Sequence, residues 1–126
     1  MNKILVEVSV GELLDKISIL EIKQGKIKDT EKLKYINDEH SILKDQLNSN
    51  VKSDQKLTGL FESLKQINEK LWVIEDDKRQ REKEKDFTDI FIKLSRDVHF
   101  LNDDRAKIKL EINNYTGSKI KEYTSY

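Results

Sequence analysis

Near the C-terminus a single arginine interrupts an otherwise apolar repeat, and no other residue in the chain demands so much chemistry of its surroundings. Two seven-residue ladders interleave over residues 87–115. One is Phe87, Leu94, Leu101, Ile108 and Tyr115; the other is Phe91, Val98, Arg105 and Ile112. This three-and-four spacing keeps one helix face turned toward a partner helix. A guanidinium on that face needs a carboxylate or several carbonyls, because burial without a partner is costly. Arg105 therefore has three readings. It is an ion pair that fixes helix register, a grip on a phosphate or carboxylate ligand, or an arginine that snorkels to the surface.

Its preferred partner is Glu21. At about 100° per residue, Glu21 falls between Ile17 and Leu14 on the apolar arc of its own helix. Glu75 and Asp76 are the alternatives. An ion pair with Glu21 predicts that Arg105→Met is harmful alone and harmless once Glu21 is also made apolar. A ligand site built from the same chemistry is polar, lies between helices, and draws on Arg105, Glu21, Arg79, Glu75 and Asn102.

The remaining polar candidates have plainer readings. His40 sits on the apolar stripe of the second helix, as a boundary histidine or as a ligand or base. His99 and Asp103, spaced i,i+4, read as a surface pair, since two ligands make a weak metal site. The Glu-x-x-His pairs of di-iron bundles are missing, because Asn37 and Arg96 stand three residues before the two histidines. Glu75, Asp76 and Asp77 are consecutive and point different ways around a helix, so they form a solvated face. Trp72 reads as core or interface. Phosphate loops, the nucleophile elbow and dinucleotide fingerprints are absent. No catalytic residue, metal or cofactor is assigned, and the reading leans away from an enzyme.

The elements that carry these residues are helical. The chain has 126 residues, no proline, four glycines, 36% hydrophobic and 38% charged residues. That is the composition of amphipathic helices with one buried stripe each. Lys plus Arg and Asp plus Glu both number 24, so no net charge attracts polyanions, and no basic stripe with interleaved aromatics marks a nucleic-acid surface. Cysteine is absent, which removes disulfides and thiolate chemistry. The short apolar run at residues 4–8 is too brief for a membrane span or secretory signal. A cytoplasmic protein is expected.

Ser9 to Glu12 reads as a capping box, with the Ser9 hydroxyl and the Glu12 carboxylate each taking an orphan amide. The first helix runs from there to about Ile27. It is apolar nearly all round, so more than one side is covered. Asp29 or Thr30 caps a second helix over roughly 31–47, with the stripe Leu33, Ile36, His40, Leu43 and Leu47. Residues 48–54 read as the longest internal loop. A third helix starts near Asp54, with the seam Leu57, Leu60, Leu64, Ile67, Leu71 and Ile74, and a second face of Phe61, Asn68 and Trp72. Residues 75–86 carry six acids and five bases, which support the helix through pairs such as Glu75 with Arg79. Asp86 or Thr88 caps the fourth helix, and Gly117 stops it. The two long helices form an antiparallel hairpin about 45 Å long, with a charged tip near residues 78–90. The ends, residues 3–8 and 119–126, are extended, either paired as two strands or packed as arms.

Lys3-Ile4-Leu5-Val6, followed by Val8-Ser9-Val10-Gly11-Glu12-Leu13-Leu14-Asp15-Lys16-Ile17 and Ile19-Leu20-Glu21-Ile22-Lys23, resembles the start of a family of short bacterial proteins catalogued as DUF6165. The similarity continues in Leu71-Trp72, Ile74-Glu75-Asp76, Asn102-Asp103, Arg105, Lys109 and Glu111-Ile112-Asn113. Such sequences often show a proline near position 30, where Thr30 stands here. The resemblance implies one complete domain over residues 1–126, and it supplies no activity and no catalytic residues.

The expectation is an all-α antiparallel bundle of four helices dominated by a long hairpin. Functionally, the apolar surplus on the first and third helices points to a non-enzymatic interaction or scaffold protein. It would self-associate as a homo-oligomer, such as a dimer, or bind a helical protein partner, with no nucleic acid and no membrane. The alternative is a binder of a small anionic ligand, or an enzyme, around Arg105 and Glu21.

Overall fold

A computed structural model describes residues 2–125. It holds four helices: α1 (Val10–Lys26), α2 (Thr30–Asn50), α3 (Gln55–Lys83) and α4 (Asp89–Thr116). The caps explain the boundaries. Ser9 Oγ accepts the Glu12 amide at 3.0 Å, Asp29 Oδ1 the Lys32 amide at 3.1 Å, and Asp54 Oδ1 the Leu57 amide at 2.8 Å. Gly117 ends α4 at φ 66, a left-handed conformation in which a Cβ is strained. Thr88 precedes α4 without a side-chain cap bond, and its amide is taken by Asp86 Oδ1 at 3.2 Å.

Three expectations need correction. Residues 48–50 continue α2 instead of opening a loop, leaving only 51–54 outside helix. The longest internal break is 84–88, where Lys85 takes a positive φ of 55. In the capping box only the Ser9 half forms. The Glu12 carboxylate turns instead to Lys109 Nζ at 2.6 Å, with Lys16 at 3.7 Å, because a cation from α4 lies within its reach. The two ends of the chain do meet, through Val10 N to Ser118 Oγ at 3.1 Å and a hydrogen bond from Ser9 to Glu122. No strand forms among the described residues.

α1 is the hub. It packs against each of the other three helices, and α3 packs along α4. This is why α1 is apolar on more than one side. Leu14, Ile17, Leu20 and Ile22 are all buried. The core continues through Leu57, Leu64 and Leu71 of α3 and Ile112 of α4. α2 lies along α1 and not along the hairpin. Its stripe of Leu33, Ile36, His40, Leu43 and Leu47 is half-buried, and no α2 residue is fully buried. α1 has 17 residues and α3 has 29. At 1.5 Å per residue, α1 falls nearly 20 Å short of the hairpin's full length. Beyond it α3 and α4 have only each other.

Candidate functional site

Where α1 crosses α4, both helices present polar residues. On α1 these are Gly11, Asp15 and Ser18, which with Ile22 fall within about 60° of arc at 100° per residue. On α4 they are Asn102, Arg105, Lys109 and Asn113, within about 80°. Gly11 lets the backbones touch. A Cβ there would lie 2.6 Å from the Lys109 carbonyl oxygen and 2.9 Å from Asn113 Oδ1. The Gly11 amide, an orphan of the first helical turn, donates to Asn113 Oδ1 at 2.6 Å. Asn113 is buried, and its Nδ2 has no hydrogen-bond partner among the described residues.

One turn further along α1 lies Asp15, whose side chain is only 2% exposed. Its Oδ1 accepts from Arg105 Nε at 2.9 Å and from Asn68 Nδ2 of α3 at 2.9 Å. Its Oδ2 accepts a short hydrogen bond from Arg105 Nη2 and stands 3.9 Å from Lys109 Nζ. The second Asn68 N–H goes to Ser18 Oγ at 2.8 Å, and Ser18 donates to the Asp15 carbonyl at 2.8 Å. Three helices are thus joined at one carboxylate, with the bidentate Arg–carboxylate geometry that suits burial. The hydrogen bonds to Asp15 raise the Arg105 pKa against the pull of burial, so its charge is permanent.

The expected pairing of Arg105 with Glu21 is therefore wrong. Glu21 lies about 120° around α1 from Asp15 and faces α2 and α3. It meets His40 Nε2 at 3.0 Å and Lys65 Nζ at 3.2 Å. Burial is the largest influence on its pKa and acts upward. The His40 and Lys65 hydrogen bonds and charges together outweigh it, so the carboxyl titrates below its ordinary 4.5. This gives His40 its partner at the boundary. Arg105 is not a lone polar rung either, since Lys109 and Asn113 share its face.

Three of the expected site residues do converge. Glu75, Arg79 and Arg105 line a pocket of about 210 Å3 with Asn68, Trp72 and Ile22. Asn102 stands beside it, its Oδ1 3.5 Å from Arg105 Nη1. Glu21 is not part of this pocket. Arg79 pairs with Asp76 at 3.4 Å, not with Glu75, and both side chains are mostly exposed. His99 and Asp103 are 3.8 Å apart on the surface. Asp15, Asn68 and Ser18 were the residues missed by sequence reasoning. The signal for Asp15 and Ser18 is the narrow small-and-polar arc on α1, offset from its apolar stripe, and for Asn68 it is the polar rung between Phe61 and Trp72 on the second face of α3.

The family described as "Family of unknown function (DUF6165)" matches residues 4–126. The chain belongs to that family. Neither the curated proteins nor the solved structures contain a match to it. Within this DUF6165 chain no described helix is long and apolar enough to cross a membrane.

Proposed function

We propose that this DUF6165 chain is a non-enzymatic helical interaction module that self-associates. The observation that carries the proposal is where its apolar surface lies. The surplus expected on α1 is consumed by three neighbours, and the Phe61, Asn68 and Trp72 face of α3 is likewise covered or half-covered. The distal hairpin is different. Val73, Phe87, Ile90, Ile92 and Phe100 are each more than half exposed there. Val73 and Phe100 share a groove of about 680 Å3 with Ile74 and Leu101, and Phe100 and Ile92 share a second of about 480 Å3. Clustered apolar side chains rimmed by charge are the usual mark of a protein contact. The buried polar cluster supports the non-enzymatic half of the reading. The Asp15 oxygens and both Asn68 amide protons are committed to groups within the chain, which suits a register device better than a reacting group. Sedimentation of the full chain at tens of micromolar tests the proposal. A strict monomer with no helical partner overturns it.

A second reading has one observation in its favour. Arg79, Arg105 and Trp72 share the 210 Å3 pocket, so a small phosphorylated or carboxylated ligand has a cationic, apolar-floored recess. Against it, Glu75 and Asp76 line the same pocket, and Arg105 has already spent its Nε and Nη2 on Asp15. A thermal-shift screen with such metabolites decides it. Stabilisation that disappears in Arg79→Ala supports the site, and a flat screen removes it.

A further inference from the structure

We infer that residues 3–8 form an antiparallel two-stranded ribbon with the same residues of a second copy, centred on Leu5. The inference rests on the reading that the chain self-associates and names a surface that does so.

This arm is the most exposed apolar segment of the chain. Ile4, Leu5 and Val6 are 86%, 79% and 73% exposed, and Val8 is 42%. Among the described residues, none of its backbone amides or carbonyls is bonded to the backbone of another segment. An extended, β-branched run with free backbone groups is a template for strand pairing. Its alternation is that of a strand with one buried face. Ile4, Val6 and Val8 point one way, and Lys3, Leu5 and Glu7 the other.

The charges select the partner. In an antiparallel pair centred on Leu5, positions whose numbers sum to ten stand opposite each other. Leu5 meets its own copy, Ile4 meets Val6, and Lys3 meets Glu7, twice per dimer by symmetry. A shift of register by one residue would break both ion pairs and turn the apolar face outward. Glu7 is available for this role. Its approach to Lys119 is 4.0 Å, with the Glu7 side chain 76% and the Lys119 side chain 88% exposed. A bare two-stranded ribbon is marginal in water, so its apolar face needs cover. The base of the arm opens onto a hollow of about 540 Å3 with a mainly polar lining that includes Asn50, Lys52 and Lys119, and the apolar cover it offers is confined to Val8, Val10, Val51 and Tyr115.

The test uses the full chain, which is free of cysteine, so one introduced thiol reports one position. Leu5→Cys is expected to form an intermolecular disulfide under mild oxidation. Lys3→Cys is expected to form far less, because equivalent residues there lie roughly 14 Å apart along the strand. Charge reversal gives the second arm. Lys3→Glu and Glu7→Lys each place like charges opposite at two points and weaken dimerisation about tenfold. The double reversal restores it, and Lys119→Ala leaves it unchanged. Circular dichroism of each variant checks that the helices are intact. A dimer that ignores both reversals, or cross-links equally at positions 3 and 5, overturns the ribbon while leaving self-association standing. A wild-type chain that stays strictly monomeric at tens of micromolar overturns both.

Discussion

α4 carries its apolar heptads along the whole α3–α4 hairpin, α3 only as far as Ile74, and the two halves end in different states. In the proximal half, Leu57, Leu64, Asn68, Leu71, Ile112 and Asn113 are buried. In the distal half, no residue of either helix is buried, and Phe87, Ile90, Ile92 and Phe100 are about half exposed. Two things differ: α1 covers one half and stops short of the other, and α3 past Ile74 has no apolar side chain to bury. A heptad ladder sets which face of a helix is apolar. How deeply that face is buried depends on how many neighbours reach it. The distal half is held by local pairs instead, such as Arg81 Nη1 with Asp86 at 2.7 Å and Lys93 with Asp97 at 2.7 Å. Partly or fully exposed pairs of this kind contribute little each.

The contrast is sharpened most by the buried pair. Arg105→Met should cost about 3 kcal/mol, near the lower end for breaking such a pair, because Lys109 Nζ at 3.9 Å can close on Asp15. Asp15→Leu combined with Arg105→Met should recover most of that loss. Urea denaturation followed by circular dichroism measures both. Equal losses for the single and double variants would show that the pair does not carry the α1–α4 contact.

Gly11→Ala comes next, at about 2 kcal/mol, since the new methyl meets a helix backbone that cannot swing aside. Gly59→Ala on α3 is the control. Nothing lies within 4 Å of its Cβ, so it should stabilise by about 0.5–1 kcal/mol. Matching effects at the two glycines would remove the close approach as an explanation.

Acid should loosen the α1–α2–α3 junction modestly. The folded Glu21 carboxyl titrates below 4.5, so its stabilising effect is complete above that pH. It is lost as pH falls through the lower folded value. Glu21→Gln should therefore lower stability by roughly 0.5–1 kcal/mol at pH 7 and by less near pH 3. The acid end of the stability curve of the two proteins checks this, and a constant gap across pH would contradict it.

The smallest effect belongs to the distal face. Phe100→Ser and Ile92→Ser should change folding stability by no more than about 0.5 kcal/mol each. If either destabilises by several times that amount, the distal face is part of the core and the comparison fails.

The helices themselves were legible without coordinates. Ser9, Asp29, Asp54 and Gly117 mark ends by backbone hydrogen bonding within a few residues. The stripe of α2 follows from its spacing, and the half-burial of Leu33, Ile36, His40, Leu43 and Leu47 bears it out. Residues 48–50 were misread because Asn and Ser favour loops only weakly, and nothing there breaks a helix.

The partner of Arg105 was not legible. α1 offers three acids. Glu12 goes to Lys109, and Asp15 and Glu21 lie on arcs about 120° apart, either of which could take a guanidinium. The choice depends on which arc meets α4. The missing Cβ of Gly11 allows the close approach on the Asp15 arc, and Lys65 and His40 claim the other. Local periodicity sets what each helix can present, because it depends on neighbours three and four residues away. Which presentations meet is decided only when the helices pack, because it depends on residues some 90 positions apart in the chain.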